Sequence, residues 1–210
     1  MCGIVGYIGN KQAWPIVIDG LRRLEYRGYD SSGIAVLDPA GDLKFRKSTG
    51  KVSDLSASVA ESPVDGMLGL GHTRWATHGK PSENNAHPHT GHGGRVAVVH
   101  NGIVENFIEL KRELLDKGHV FSSETDTEVI AHLIELGLDS GKSFEESFRE
   151  TALRLVGSQA IAASDSYEDE KIYAMKLGNA GGIVVSHNGE EGMVCSDLPA
   201  MLPIIRNPSA

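Results

Sequence analysis

The sequence predicts an α+β fold with largely antiparallel sheets, and three observations carry that reading. Short apolar segments open and close the chain, three helical patterns lie together between them, and turn-forming clusters join neighbouring strand segments. No Gly/Pro-rich linker, internal repeat or low-complexity segment divides the 210 residues, so one domain is expected.

The elements follow in order. Cys2-Gly3-Ile4-Val5-Gly6 reads as a short buried strand whose small glycines allow close backbone approach. Asn10 and Pro15 open a helix in which Ile16, Val17, Leu21 and Leu24 share one face, and residues 28–33 have loop composition. Residues 33–37 and 43–47 form a hairpin across Asp38-Pro39-Ala40-Gly41. Residues 51–61 suit a helix. Residues 67–73 and 95–100 read as strands, separated by a long stretch of Gly, Pro, His and Asn whose length points to function or disorder. Residues 104–117 and 125–138 are helical. The second of these opens on Thr125-Asp126-Thr127-Glu128, a capping-box pattern, and carries the stripe Val129, Ile130, Leu133 and Ile134. A third helix over 143–156 precedes strands at 159–164, 171–175 and 182–186.

Composition narrows the function. A net charge of −8, from 28 acidic against 20 basic side chains, gives no basic face for nucleic acid. Two cysteines, Cys2 and Cys195, are too few for a disulfide framework, and a reactive thiol needs a reducing compartment, which points to the cytoplasm. No apolar run approaches the roughly 18 residues of a membrane span, and no basic leader opens the chain.

The residue that stands out is Cys2. Once Met1 is removed it carries a thiol of reference pKa about 8.5 and an α-amine of about 8 on one residue, a nucleophile beside its own base. The plain alternative is a small buried residue near the chain start. A metal reading rests on His87-x-His89-x-x-His92 and on Glu128 and His132 at helical spacing. It lacks any Cys-x-x-Cys or His-Glu-x-x-His, so neither metal nor cofactor is expected.

Several blocks together carry a resemblance. They are Cys2-Gly3-Ile4-Val5-Gly6, the run Leu21-Arg22-Arg23-Leu24-Glu25-Tyr26-Arg27-Gly28-Tyr29-Asp30-Ser31, and His72-Thr73-Arg74-Trp75-Ala76-Thr77-His78-Gly79. With them go Asn85-Ala86-His87-Pro88-His89, His100-Asn101-Gly102 and Ser123-Glu124-Thr125-Asp126-Thr127-Glu128. The chain resembles the class II glutamine amidotransferases, and within them the glutaminase domains of the glucosamine-6-phosphate synthase family. The Arg-Leu-Glu-Tyr-Arg-Gly-Tyr-Asp block is the narrower signal. The resemblance implies an N-terminal-nucleophile hydrolase fold, a four-layer αββα sandwich of two antiparallel sheets between helices.

It also implies roles. Cys2 attacks the δ-carbonyl of L-glutamine to give a γ-glutamyl thioester, and its α-amine shuttles the proton. Asn101, through its side chain, and Gly102, through its backbone N–H, form the oxyanion hole. Taken alone, Asn-Gly is a turn. Arg74 holds the substrate carboxylate and Asp126 its ammonium. Otherwise Arg74 would be a surface ion pair and Asp126 a first-turn acid on the helix dipole. Thr77 and His78 match further glutamine contacts, and Trp75 an ammonia-channel gate. The implied partner is a sugar-isomerase domain with a fructose-6-phosphate site in a homodimeric full-length enzyme, the isolated domain being monomeric, without membrane or nucleic acid.

Three departures from the pattern stand out: Gly178-Asn179-Ala180-Gly181 in place of Gly-Ser-Pro-Leu, Gln159 in place of an aromatic, and Cys195 at a position normally small, read as a structural thiol. On this resemblance residues 2–210 form the glutaminase domain, ended before its last strands and without the isomerase domains. The alternatives are a non-catalytic glutamine-binding domain, or an amidotransferase for phosphoribosyl pyrophosphate or aspartate.

Overall fold

The computed structural model of the protein describes residues 2–76 and 79–202. Among the described residues nine strands form two sheets in which every pairing is antiparallel. The larger contains β1 (Gly3–Ile8), β2 (Ser31–Leu37), β3 (Leu43–Thr49), β4 (Leu68–Arg74), β8 (Val184–His187) and β9 (Gly192–Cys195), in the order β3-β2-β4-β1-β9-β8. The smaller has the order β5 (Val96–Gly102), β6 (Gln159–Asp165), β7 (Tyr173–Leu177). The helices are α1 (Ala13–Leu24), α2 (Val52–Glu61), α3 (Phe107–Asp116), α4 (Glu128–Asp139) and α5 (Phe144–Arg154), with 3₁₀ turns at Glu25–Arg27 and Leu198–Met201.

Strand alternation sorts the side chains into three cores, which makes four layers. Val5 and Tyr7 of β1 and Ile34 and Val36 of β2 face α1 and α2, meeting Val17, Leu21, Leu24, Leu55 and Val59. Each such fully buried aliphatic contributes about 1.5–3 kcal/mol. On the other side, Val96 and Val98 of β5 and Ile161 and Ala163 of β6 face Leu110, Ile130, Ile134 and Phe144 of α3, α4 and α5. Between the sheets lie the intervening residues: Ile4, Ala35, Leu70, Val194, Ala97, Val99 and Ala162. This is the predicted αββα order.

The predicted hairpin forms and extends over residues 31–49, with Leu37 opposite Leu43. The predicted capping box at residues 125–128 is not formed: α4 begins at Glu128, and its N-cap Thr127 is itself helical with no side-chain cap bond. The Glu128 carboxylate turns back instead onto the backbone N–H groups of Ser122 and Ser123, 2.7 Å each. A capping box does form at α5, between Ser143 and Glu146. Strand β9 went unpredicted because Gly192-Met193-Val194-Cys195 has only four residues and follows a polar turn. Among the described residues no helix is long and apolar enough to cross a membrane.

Candidate active site

The site lies where the central strand begins. Gly3 pairs with Thr73 and donates its N–H to Thr73 Oγ1 at 3.1 Å, which sets Cys2 beside the end of β4. There the chain turns. Asp30 donates its N–H to the Arg74 carbonyl at 3.1 Å and accepts the Ala76 N–H on Oδ2, holding the 74–76 backbone against β2. Gly28 makes this packing possible, because a Cβ there would sit 2.9 Å from the Arg74 carbonyl. The Trp75 N–H is thereby aimed at Cys2 Sγ, 3.2 Å away.

Burial is the largest influence on the Cys2 thiol and raises its pKa; the Trp75 backbone contact lowers it by less. The thiol is therefore protonated at neutral pH, and nucleophilic use requires a base to take its proton. The Cys2 carbonyl accepts from Arg27 Nε at 3.1 Å and from Asn101 Nδ2 at 3.0 Å, which fixes the Cys2 backbone from two sides. Arg27 is held in turn by Asp197, Nη1 to Oδ2 3.0 Å.

Asn101 and Gly102 end β5, opposite Ala160 and Gln159 of β6, so the Asn-Gly pair is a strand end and not a hairpin turn. Gly102 has φ +141°, and a Cβ there would lie 2.3 Å from the Ser158 carbonyl. Only glycine fits. Asp126 precedes α4 and accepts the Val104 N–H on Oδ2 at 2.7 Å. Its backbone therefore lies ahead of the helix's first turn, and one carboxylate oxygen is fixed to the loop after β5. Arg74 is 4% exposed at the end of β4, unlike a surface ion pair, and its Nη2 donates to the Gly79 carbonyl at 3.2 Å.

Cys2, Arg74, Trp75, Asn101, Gly102 and Asp126 all line one cleft of about 450 Å³, a volume suited to a small metabolite. Trp75 stands at its rim, 52% exposed and edge-on to Tyr29 with ring centroids 5.7 Å apart. The altered loop supplies wall residues too: Asn179 and Ala180 line the cleft, and the Asn179 N–H is tied to Ser158 Oγ at 3.1 Å. Thr77 and His78 lie outside the described residues.

Beneath the cleft is a polar layer that the motifs alone did not indicate. His72, His87, His89 and His100 are all buried, and burial lowers the pKa of each, His72 to about 3. Gln159 accepts from His100 Nε2 at 2.6 Å and donates to the Ile103 and Val156 carbonyls at 2.9 and 3.0 Å. His100 Nε2 therefore carries the proton, and Nδ1 accepts from Thr127 Oγ1 at 2.9 Å. A phenyl ring at 159 could not hold these groups. Among the described residues no group of three or more His, Cys, Asp or Glu is placed to hold a metal. His87 and His89 pack edge to face, and His89 Nε2 lies 3.0 Å from Thr125 Oγ1. Cys195 is fully buried in β9 and its pKa is pushed up to about 12, consistent with a structural thiol.

Two antiparallel sheets face to face between helices, with a cysteine opening the central strand, define the N-terminal-nucleophile hydrolase class. Structural likeness agrees: the glutamine phosphoribosylpyrophosphate amidotransferase of B. subtilis superposes with a TM-score of 0.80 at 28% identity, over 95% of this chain and 43% of that one. A glutamine aminotransferase class-II domain protein from Silicibacter pomeroyi shares the fold at TM-score 0.59 and 18% identity, over 93% of this chain and 88% of that one. The chain belongs to the glutamine amidotransferase domain family, whose sequence model matches residues 72–203. Relatives named glutamine–fructose-6-phosphate aminotransferase (isomerizing) include those of Pyrococcus horikoshii and Thermus thermophilus, each 48% identical over 98% of this chain. The chain spans about a third of the length of these relatives, 34% and 33%.

Proposed function

We propose that the chain hydrolyses L-glutamine to glutamate and ammonia, and that the ammonia serves amination of fructose-6-phosphate by a sugar-isomerase partner domain. The observation that carries the first part is the convergence on one cleft of Cys2, the Asn101–Gly102 strand end, Arg74 and Asp126. The names of the relatives support the second.

With Met1 removed, the Cys2 α-amine takes the thiol proton, which the raised thiol pKa makes necessary. Sulfur attacks the δ-carbonyl, and the oxyanion is met by the second N–H of the Asn101 amide and by the Gly102 N–H. Such donors contribute roughly 3–4 kcal/mol each in other acyl-transfer enzymes. The ammonium returns the proton to the leaving nitrogen, ammonia departs, and water cleaves the thioester. Arg74 receives the α-carboxylate, and Asp126, fixed by Val104, receives the α-ammonium. Thr77 and His78 complete the glutamine contacts, and Trp75, from its rim position, gates the ammonia path.

On this reading residues 2–210 make up the glutaminase domain of a longer, homodimeric, cytoplasmic enzyme. The test is glutamate release from L-glutamine by protein whose intact mass shows Met1 gone. Cys2→Ala should abolish release while still binding glutamine in calorimetry, and rapid-quench mass spectrometry of the parent should trap a γ-glutamyl adduct on Cys2. Release by Cys2→Ala at the parental rate would refute the mechanism.

A further inference from the structure

The glutaminase reading makes the Asn101 side chain an oxyanion donor but leaves open what decides which end of its amide faces the substrate. The two ends are nearly the same size. Only the NH2 end can stabilise an oxyanion; the carbonyl end would repel it.

Strand alternation puts Leu70, His72 and Arg74 of β4 on the face that meets β5, and His72 lies directly against Asn101. His72 Nε2 is 3.0 Å from Asn101 Oδ1 and 3.1 Å from the His100 carbonyl. A backbone carbonyl only accepts, so Nε2 carries the hydrogen. The ring is buried and neutral, which leaves Nδ1 bare, and Nδ1 has no hydrogen-bond partner among the described residues. On the other side, Asn101 Nδ2 donates to the Cys2 carbonyl at 3.0 Å. Turning the amide over would set N–H against N–H at His72 and oxygen against oxygen at Cys2, losing two bonds and creating two repulsions. The imidazole cannot swing away: it stacks on His87 with centroids 4.1 Å apart and planes 13° from parallel, and His87 Nδ1 in turn accepts the His100 N–H at 3.3 Å.

We propose that His72 is a positioning residue for glutamine hydrolysis: its neutral Nε2–H locks the Asn101 amide with the NH2 end toward Cys2 and the developing oxyanion. This rests on the reading of Asn101 as an oxyanion donor. The role belongs to the Nε2–H tautomer. It needs no charge on His72, and it acts on the acylation step more than on glutamine binding.

The first test uses the unaltered, Met1-processed chain. ¹⁵N NMR should show His72 protonated on Nε2 and bare on Nδ1 throughout pH 6–8; an Nδ1–H tautomer or an imidazolium there overturns the proposal. The second is a kinetic cycle. His72→Phe should lower kcat about 10- to 100-fold with KM within about threefold, as expected for misaligning one oxyanion donor. His72→Gln, which restores an N–H donor, should recover most of that loss. Added to Asn101→Ala, His72→Phe should cost less than about twofold more, because residues acting through one another are not additive. Equal losses in both backgrounds overturn the proposal alone. Parental kcat in Asn101→Ala overturns the oxyanion reading and the proposal with it. Should His72→Phe fail to fold, the tautomer measurement and the His72→Gln variant carry the test.

Discussion

The four histidines under the cleft make the fold acid-sensitive well above the carboxylate range. His72, His87 and His89 are each held far below the ordinary histidine pKa of 6.5 by burial, and His100 is lowered as well. Above pH 7 these rings are neutral in both folded and unfolded chains and contribute no pH dependence. As pH falls below 6.5 the unfolded chain takes up protons that the native rings refuse, so stability falls, and it keeps falling until each native ring protonates at its own lowered pKa, about 3 for His72. At pH 5.5 a group with unfolded pKa 6.5 that stays neutral when native costs about 1.4 kcal/mol. Three such groups cost about 4 kcal/mol, a large share of the 5–15 kcal/mol of a typical domain, before His100 is counted. Glu128, whose pKa is lowered by His132 and by the Ser122 and Ser123 donors, adds its own loss, but only as pH drops through the carboxylate range. The assay is urea unfolding followed by circular dichroism at half-unit steps from pH 8 to pH 5. The free energy should be flat to about pH 7 and then drop by at least about 3 kcal/mol by pH 5.5. A change under about 1 kcal/mol over that interval would mean that these rings protonate in place, and the neutral layer inferred under the cleft would be wrong.

Gln159→Leu should lower stability by about 2–4 kcal/mol, seen as a melting temperature about 4–16 °C lower. It strands the His100 Nε2–H and the Ile103 carbonyl while the Val156 carbonyl keeps the Glu105 N–H. Gly102→Ala should reduce glutamine turnover at least about 100-fold, since a Cβ at φ +141° meets the Ser158 carbonyl and displaces the proposed oxyanion donor; steady-state kinetics on folded protein decides it. Arg74→Lys should raise the KM for glutamine by about tenfold or more with a smaller change in kcat, because a point ammonium cannot make the two parallel bonds of a guanidinium. A KM unchanged in that variant would remove Arg74 from the substrate carboxylate.

Much of this was legible because period-two patterning and turn chemistry act locally. The run Val96-Ala97-Val98-Val99 is apolar at every position, as a strand covered on both faces is, and β5 lies between a helical core and a second sheet. The cleft residues were legible for a different reason. Cys2, Arg74, Asn101, Gly102 and Asp126 sit in motifs whose types match a known chemistry, and folding brings all five to one cleft. The capping box at 125–128 failed because tertiary context overrode a local signal. Glu128 found four donors on Ser122 and Ser123, and a carboxylate so satisfied has no reason to cap its own helix.

What stayed hidden was the layer that no short motif encodes. His72, His100, Thr127 and Gln159 come from four separate segments, and their bonds depend on which face of β4, β5 and β6 each one occupies. The alternation that sorted Val96 through Val99 also sorts the next two residues: His100 falls on the side of α4 and Asn101 on the side of β4. Extended by those two residues, the alternation of the strand places Asn101 against His72 and the buried imidazole of His100 under the helix that Asp126 precedes. Asp126 and Asn101, the proposed substrate-binding acid and oxyanion donor, are thus joined through Thr127, His100 and the β5 backbone, in a buried region where a misplaced bond finds no easy substitute. That is why the departure to Gln159 is compatible with this site. The fold keeps the geometry of the catalytic strand end by satisfying every donor and acceptor of His100, and a side chain that does so can replace an aromatic ring.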